Sequence, residues 1–243
     1  MNEIHSNISV LGARESTAVL TIDNGAKNLL TEPEFIECNT LVKWLEDNPE
    51  VTSLIITGAG RHFSHGADVS LFESDNVADI GQRLENARRL LRTIEQLPIV
   101  TAAAINGGCF GGGLEIALSC QFRICSPKSF LGLTEIMRGV IPGMGGMERL
   151  TRLVGRQRAI SMCLRGEMLS AKQALASGII TEIADAADCL EYTLNYVREL
   201  TADKTRLQIN SIIETINAEI NGVPDPSKGY FERVLEDSFG IKL

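Results

Sequence analysis

The chain has 243 residues, which is enough for one domain with a large buried core. Its formal net charge of −8 argues against nucleic acid as a general partner, because phosphate contacts need concentrated Lys and Arg. The six cysteines show no CxxC spacing, which favours reduced thiols in a cytoplasmic protein. The first ten residues lack the basic and apolar regions of a signal peptide. Residues 96–114 carry no charge, but Pro98, Asn106 and five glycines exclude them as a membrane span.

The first half of the chain alternates between strand and helix patterns. Short apolar runs predict strands at residues 8–10, 18–22, 51–57 and 99–105. Thr31 and Glu34 have the spacing of a capping box, so we expect them to start the first helix. Apolar residues at helical spacing predict another helix over residues 77–97. This repeated order favours right-handed crossovers and a parallel sheet.

The second half becomes increasingly helical. Strands are predicted at residues 122–125, 130–133 and 179–183, and helices at 147–154, 156–164 and 171–176. Residues 187–243 are helical in pattern, interrupted by Pro224 and Pro226. We therefore expect an α/β core over residues 1–185 and a C-terminal helical region over residues 186–243, which would serve oligomerisation and cover a pocket.

The most informative segment follows the strand at 99–105. A loop from Gly107 to Gly113 contains five glycines and leads into a helix that starts near Gly111 or Gly112 and carries Glu115. Glycine lets a ligand approach bare backbone amides, and the first N–H groups of a helix favour negative charge. The pattern indicates a site for an anion or an oxyanion. A tight turn with close helix packing is the alternative, and neither a P-loop nor a dinucleotide fingerprint is present.

A second glycine-bearing loop, at residues 62–68, follows the strand at 51–57. Loops at the carboxyl ends of parallel strands form ligand crevices, and an oxyanion hole usually needs two converging donors. The pair of loops therefore favours binding over an ordinary turn. His62 and His65 could suggest a metal by spacing, but no acidic or thiol partner is evident, so no metal is expected.

Three motifs resemble those of the crotonase superfamily, in its enoyl-CoA hydratase/isomerase branch. They are F-S-x-G-A-D at residues 63–68, I-N-G-x-x-x-G-G-G-x-E at 105–115 and T-E-I-x-x-G-x-I-P-G-x-G-G at 134–146. They occur in the family's order and spacing. The resemblance implies a crotonase-like α/β fold of repeated ββα units with a mainly parallel sheet and a C-terminal helical region. It also implies an acyl-CoA substrate and no cofactor beyond the coenzyme A of that substrate.

The resemblance also implies roles for individual residues. The backbone amides of Ala67 and Gly112 match the pair that holds the thioester carbonyl, and Gly143 matches the glycine that helps place the water. Glu115 and Glu135 match the two hydratase glutamates. Two carboxyl groups close together in an apolar pocket cannot easily both ionise, so one supplies acid and the other base. We assign Glu115 to activating water and Glu135 to donating the α-proton.

Further substrate contacts are expected around these groups. The candidate substrate-binding residues are Lys27, His65, Gly66, Asp68, Gly111 and Met144. Lys27 lies in a segment that resembles the family's adenine-side loop, which makes it a candidate contact for CoA. Three arginines on the helix at 77–97 are expected to form a solvated face paired with acidic neighbours on the same helix; they are Arg88, Arg89 and Arg92, with Glu85 and Glu95.

Three residues depart from the family pattern. His65 stands where a small residue is usual, beside a proposed oxyanion donor, and it either packs, reshapes the acyl pocket or assists a different proton transfer. Met144 and Met147 replace smaller or polar residues, and they either alter substrate choice or fill gaps in the core.

Hydration of a 2-enoyl thioester is the expected reaction. The resemblance implies that an isomerase can work with the glutamate matching Glu135 alone, so the presence of Glu115 favours hydration. Isomerisation, decarboxylation, hydrolysis and an acyl-carrier-protein substrate stay open. A non-catalytic or RNA-binding relative is a rival from another class, which the acidic composition disfavours. The resemblance implies a homotrimer or a hexamer built as a dimer of trimers. No nucleic-acid or membrane partner is expected.

Overall fold

The computed structural model describes residues 3–6, 8–68, 77–185 and 188–240. The strands are β1 (Ile4–His5), β2 (Ser9–Arg14), β3 (Thr17–Ile22), β4 (Ser53–Gly58), β5 (Val100–Ile105), β6 (Gly108–Phe110), β7 (Phe122–Cys125), β8 (Phe130–Gly132), β9 (Leu169–Ser170) and β10 (Glu182–Ile183). The helices are α1 (Cys38–Asp47), α2 (Val77–Gln96), α3 (Gly112–Ser119), α4 (Gly146–Val154), α5 (Arg156–Arg165), α6 (Ala171–Ala176), α7 (Cys189–Thr201), α8 (Arg206–Asn221) and α9 (Ser227–Phe239). A 3-10 turn spans Glu135–Arg138.

In the part of the chain that the structure describes, seven strands form the main sheet in the order β1-β2-β3-β4-β5-β7-β10. The first two pairings are antiparallel, and every pairing from β3 to β10 is parallel. A smaller sheet joins β6, β8 and β9. The mainly parallel α/β architecture predicted from the alternating pattern is therefore confirmed.

Helices cover both faces of the central strands, which explains why β4 and β5 are buried along their whole length. Leu54 and Ile56 face one core with Leu90 of α2. Ile55, between them in sequence, faces the other core with Val197 of α7. Because α7 packs directly on the sheet, the C-terminal region contributes to the core. The division at residue 185 stays a prediction.

The predicted capping box at Thr31 is wrong. The first helix begins at Cys38, and the carboxylate of Glu34 accepts a hydrogen bond from the Cys38 N–H at 3.0 Å. Pro33 explains the delay, because a residue that precedes proline is pushed away from helical geometry, and Glu32 would lie in the first turn.

The strand prediction at residues 179–183 also differs from the structure, and strand β6 was not predicted. Only Glu182–Ile183 of residues 179–183 is a strand, and Ile179 instead offers its carbonyl to Arg123 Nε at 2.6 Å. The strand β6 lies inside the glycine loop, where a glycine-rich sequence gives no strand signal, and it pairs in parallel with β8.

All six cysteines are free thiols, as expected. Helices α7 to α9 fill most of the predicted helical region, with the two prolines between α8 and α9, while residues 187 and 241–243 of that prediction lie outside the described part. No helix in the described ranges has the length and apolar character needed to cross a membrane.

Candidate active site

The two glycine-bearing loops run side by side beyond the carboxyl ends of β4 and β5. The N–H groups of Phe63 and Ser64 donate to the carbonyl of Gly108 at 3.1 and 3.2 Å, and the Phe110 N–H donates to the Ser64 carbonyl at 2.9 Å. Side-by-side bonding of this kind fixes the position of one loop relative to the other. It places the segments around Ala67 and Gly112 at one location.

The close approach of the loops requires glycine at position 66. Gly66 has a φ of +81°, and a β-carbon there would lie 2.7 Å from the carbonyl oxygen of Phe110. The same point is 3.1 Å from the backbone nitrogen of Gly112. Any larger residue would therefore push the loops apart and strain the backbone.

The Ala67 amide is directed away from its neighbouring segment. Leu30 donates its N–H to the Gly66 carbonyl at 2.9 Å and accepts the Asp68 N–H at 3.3 Å. In such a parallel bridge alternate residues point to opposite sides, so the N–H of Ala67 faces away from Leu30. Within the described ranges, neither this N–H nor that of Gly112 donates a backbone hydrogen bond.

Helix α3 begins at this location. Gly111, with a φ of +53°, precedes the helix and donates its N–H to the Gly132 carbonyl at 2.9 Å. Every residue of α3 is buried. The first N–H groups of the helix and the positive end of its dipole therefore face the space between the loops.

Glu115 lies in the first turn of α3 and is 2% exposed. Its Oε1 accepts the N–H groups of Met144 and Gly146, both at 2.8 Å. Burial raises the pKa of Glu115, while the backbone N–H groups and the charge of Arg149 oppose that rise. The hydrogen bonds hold one oxygen and leave Oε2 for other contacts.

Glu135 opens the 3-10 turn, and its carboxyl group lies against Gly111, with Oε1 3.3 Å from where a β-carbon would stand. Both oxygens are buried, and neither has a hydrogen-bond partner in the described part of the chain. Burial, and then the nearby Glu115, raise the pKa of Glu135 to about 7. Buried polar atoms are nearly always paired, so an unpaired carboxyl group points to function.

The two glutamates share a cavity of about 280 Å³. It is also lined by Gly66, Ala67, Gly111, Gly112 and Gly143, and its apolar wall is formed by Leu30, Pro33, Ile80, Leu84, Val140, Ile141 and Met144. A neighbouring cavity of about 610 Å³ contains the basic side chains Lys27, Arg138 and Arg165, together with Asp68. His65, Ala67, Thr134 and Arg138 line both cavities, so the two are adjacent.

The structure thus brings all eleven candidate residues to the walls of two adjacent cavities. Arg138 and Arg165 also line the wider cavity, and sequence reasoning did not select them. Arg138 could have been found from its place three residues after Glu135 in the third motif. Arg165 ends α5, far from any motif, and nothing in its local sequence indicates a ligand.

His65 packs against aromatic neighbours beside the proposed oxyanion site. Its ring meets those of Phe110 and His62 edge to face, at centroid distances of 5.2 and 4.5 Å. Burial and the positive charges of His62 and Lys27 lower the pKa of His65, which favours the neutral ring. Phe110 and His65 belong to different loops, so their contact also holds the loops together.

The predicted pairing of the α2 arginines is only partly right. Arg88 lies 3.7 Å from Glu85, but Arg89 pairs with Glu34 of another segment at 3.6 Å. Glu95 pairs with Arg149 and Arg152 of α4 instead, because it projects from the end of α2 toward that helix.

Comparison with known proteins gives a consistent family. Residues 12–240 match the model of the enoyl-CoA hydratase/isomerase family. The alpha subunit of the fatty acid oxidation complex of Idiomarina loihiensis is 34% identical over 210 residues, which cover 84% of this chain and 30% of that protein. The chain therefore spans less than a third of the length of that relative.

Solved structures show the same fold. An enoyl-CoA hydratase from Bacillus anthracis is 28% identical with a TM-score of 0.83, covering 98% of this chain and 92% of that one. DspI from Pseudomonas aeruginosa is 27% identical, also with a TM-score of 0.83, covering 97% of both chains. The fold, with two glycine loops over a two-carboxylate cavity, is that of the crotonase superfamily. Within this superfamily the chain belongs to the enoyl-CoA hydratase/isomerase family.

Proposed function

We propose that the protein adds water across the 2,3 double bond of an enoyl thioester. The observation that carries this proposal is the contrast between two carboxyl groups at one cavity. Glu115 accepts two backbone N–H groups, whereas the buried oxygens of Glu135 have no partner in the described residues. Such a pair can supply one base and one acid at neutral pH.

The environments of the two glutamates support different roles. Hydrogen bonds from N–H groups stabilise a carboxylate, so Glu115 is suited to accept a proton from the attacking water. Glu135, with a pKa of about 7, holds a proton in much of the population at neutral pH and can deliver it to the α-carbon. One O–H bond of water, the O–H bond of Glu135 and the 2,3 π bond break as the C–O and C–H bonds form, and the proton lost by water passes to Glu115. Proton exchange then restores both side chains.

The thioester oxygen gains negative charge in this reaction. In the proposal it accepts the N–H groups of Ala67 and Gly112, with further stabilisation from the start of α3. Each donor of this kind typically contributes roughly 3 kcal/mol to the transition state. Gly143 lies at the cavity wall beside Glu115, where it helps place the water.

Coenzyme A is the proposed carrier of the acyl group. Its phosphates would contact Lys27, Arg138 and Arg165, whose side chains line the wider cavity outside the glutamate site. No further cofactor is proposed. An acyl-carrier protein presents the same pantetheine arm, and it is distinguished from coenzyme A by direct comparison of the two thioesters.

Double-bond isomerisation is the second candidate. It is favoured by Glu135, whose two oxygens have no hydrogen-bond partner among the described residues and which can take a proton from one carbon and return it to another. The test supplies purified protein with crotonyl-CoA and with a 3-enoyl-CoA. Loss of the conjugated double bond in the first supports hydration. Interconversion of the enoyl isomers without addition of water would reject the proposed hydration.

Assembly into a homotrimer or a hexamer is also part of the proposal. Ile212, Ile216 and Ile220 lie four residues apart on α8 and are each more than half exposed, which is unusual for a row of isoleucines. Light scattering should give three or six chains, and a monomer would contradict this part of the proposal. An RNA-binding role predicts a gel shift at physiological salt, which we do not expect from a chain of net charge −8.

A further inference from the structure

We infer that Arg149, held by Glu95, is a positioning residue that sets both the place and the ionisation of Glu115. The inference rests on the proposed role of Glu115 as the base. Arg149 lies on α4 and Glu95 on α2, so both lie outside the three motifs and outside the helix that carries Glu115.

The side chain of Arg149 is 6% exposed, and each of its three guanidinium nitrogens contacts an oxygen atom. Its Nε and Nη2 lie 3.1 and 3.0 Å from Oε2 of Glu95, and its Nη1 donates to the carbonyl of Met144 at 2.9 Å. The ion pair therefore ties α2 to the segment between Gly143 and Gly146. A guanidinium bound on two sides is well suited to fix geometry, because its fork is planar.

Met144 connects this ion pair to the carboxylate. Its carbonyl accepts from Arg149, and its N–H donates to Oε1 of Glu115 at 2.8 Å. A shift of the guanidinium thus reaches Glu115 through a single residue. Gly145, with a φ of +93°, allows the approach, because a β-carbon there would lie 2.7 Å from Nη1 of Arg149.

The peptide between Gly143 and Met144 is held by helix α2, which also carries Glu95. Arg88 of α2 donates its Nε to the Gly143 carbonyl at 2.6 Å, and the N–H of that peptide is the Met144 donor. Helix α2 therefore holds two consecutive carbonyls of the segment, one directly and one through Arg149. If neither carbonyl were held, the segment would be free to move, and its hydrogen bonds to Glu115 would be weaker.

The positive charge of Arg149 favours the ionised form of Glu115, as the hydrogen bonds to Glu115 do. The positive charge of Arg149 lowers the pKa of Glu115 against the effect of burial. Two other titratable groups face Glu115 from neighbouring elements, namely Glu135 and the thiol of Cys163 on α5. Around Arg149 itself stand Glu95, Arg152 and the thiol of Cys120. Removing Arg149 should therefore favour the protonated form of Glu115.

The test compares three variants. Arg149→Met removes the charge and the hydrogen bonds, Arg149→Lys keeps the charge, and Arg152→Met is the matched control. Arg152 also pairs with Glu95, at 2.6 Å, but its side chain is half exposed and is not bonded to Met144 in the described structure. If the ion pair has only a structural role, removing Arg149 should lower the activity by the same factor at every pH.

For each protein, kcat/KM for hydration at pH 6 is divided by kcat/KM at pH 8. In Arg149→Met this ratio should be about a tenth of the wild-type ratio. Arg149→Lys should recover most of the wild-type pH profile, and Arg152→Met should retain all of it. A pH profile unchanged in Arg149→Met would overturn the inference.

Titration of the ligand-free protein separates this inference from the proposed function. NMR of protein labelled at its glutamate carboxyl carbons, assigned with Glu115→Gln, follows the ionisation of Glu115 directly. Its midpoint should move to higher pH in Arg149→Met and stay in place in Arg152→Met. If it moves but wild-type protein hydrates no enoyl thioester, the inference stands and the proposed function fails. If it does not move, the inference fails whatever the activity.

Discussion

Gly146 donates its N–H to Oε1 of Glu115 at 2.8 Å, and a β-carbon on Gly146 would lie only 2.6 Å from Cγ of that glutamate. The proposed base is therefore held and confined by the same residue. Gly146 is the first residue of α4, so the helix start supplies the hydrogen bond and the absence of a β-carbon leaves space for Glu115.

Gly146→Ala should displace Glu115 and lower kcat/KM by about 100-fold, because small errors in the position of a catalytic group are costly. Steady-state kinetics and a thermal melt check this. The matched control is Gly229→Ala in α9, where a β-carbon meets nothing within 4 Å. The control should keep its activity and gain roughly 1 kcal/mol of stability. Equal activity of both variants would contradict the expectation.

Gly66→Ala should reduce activity by separating the two loops. Its β-carbon would lie 2.7 Å from the Phe110 carbonyl oxygen, so the proposed convergence of the Ala67 and Gly112 amides would be lost. We expect a loss of about 100-fold in kcat/KM, as for the loss of one oxyanion donor. Gly60→Ala carries the same strain, with a φ of +66°, but its β-carbon meets no atom. A comparable loss in Gly60→Ala would mean that backbone strain alone is responsible.

Glu135→Gln should stabilise the fold at high pH. The folded-state pKa of Glu135 is about 7, above its ordinary value of 4.5, so the folded state favours the protonated form. Stability from this group is intact below about pH 4.5 and is lost as pH rises through 7. The uncharged variant avoids that loss, on the order of 3 kcal/mol.

Urea unfolding at pH 5 and pH 8 measures this difference. The gain of Glu135→Gln over the wild type should be larger at pH 8. A gain that is equal at both pH values would show that the carboxyl group is not held in an unfavourable site.

Lys27→Ala and Arg165→Ala should weaken binding of the CoA thioester specifically. Both side chains line the wider cavity, and contacts with exposed phosphates are modest in strength, so KM should rise roughly threefold to tenfold. The KM for the matching pantetheine thioester, which lacks the nucleotide, should not change. Lys43→Ala on α1 is the control. Equal effects on both thioesters would place the coenzyme A phosphates elsewhere.

Much of the fold follows from the sequence because its signals are local. Apolar runs mark β4 and β5, and glycines mark the loops that follow them. The failures arise where distant residues decide the outcome. Strand β6 exists because β8 pairs with it, and the start of α1 depends on Pro33.

The candidate site also has residues that the sequence predicts and residues that it does not. Glu115 and Glu135 stand in recognisable motifs, and the structure places both on one cavity. The ion pair of Glu95 with Arg149 joins residues 54 positions apart, so no local pattern announces it. Arg165 reaches the wider cavity only because α5 packs behind the 3-10 turn.

Hydration of crotonyl-CoA by the wild type, Glu115→Gln and Glu135→Gln tests the central proposal most directly. Product formation is followed in water labelled with heavy oxygen, so that added water is detected in the 3-hydroxyacyl product. The wild type should incorporate the label, and each variant should lose roughly 100-fold or more in rate. Equal rates in all three proteins, or turnover of the enoyl thioester without incorporation, would contradict the proposal.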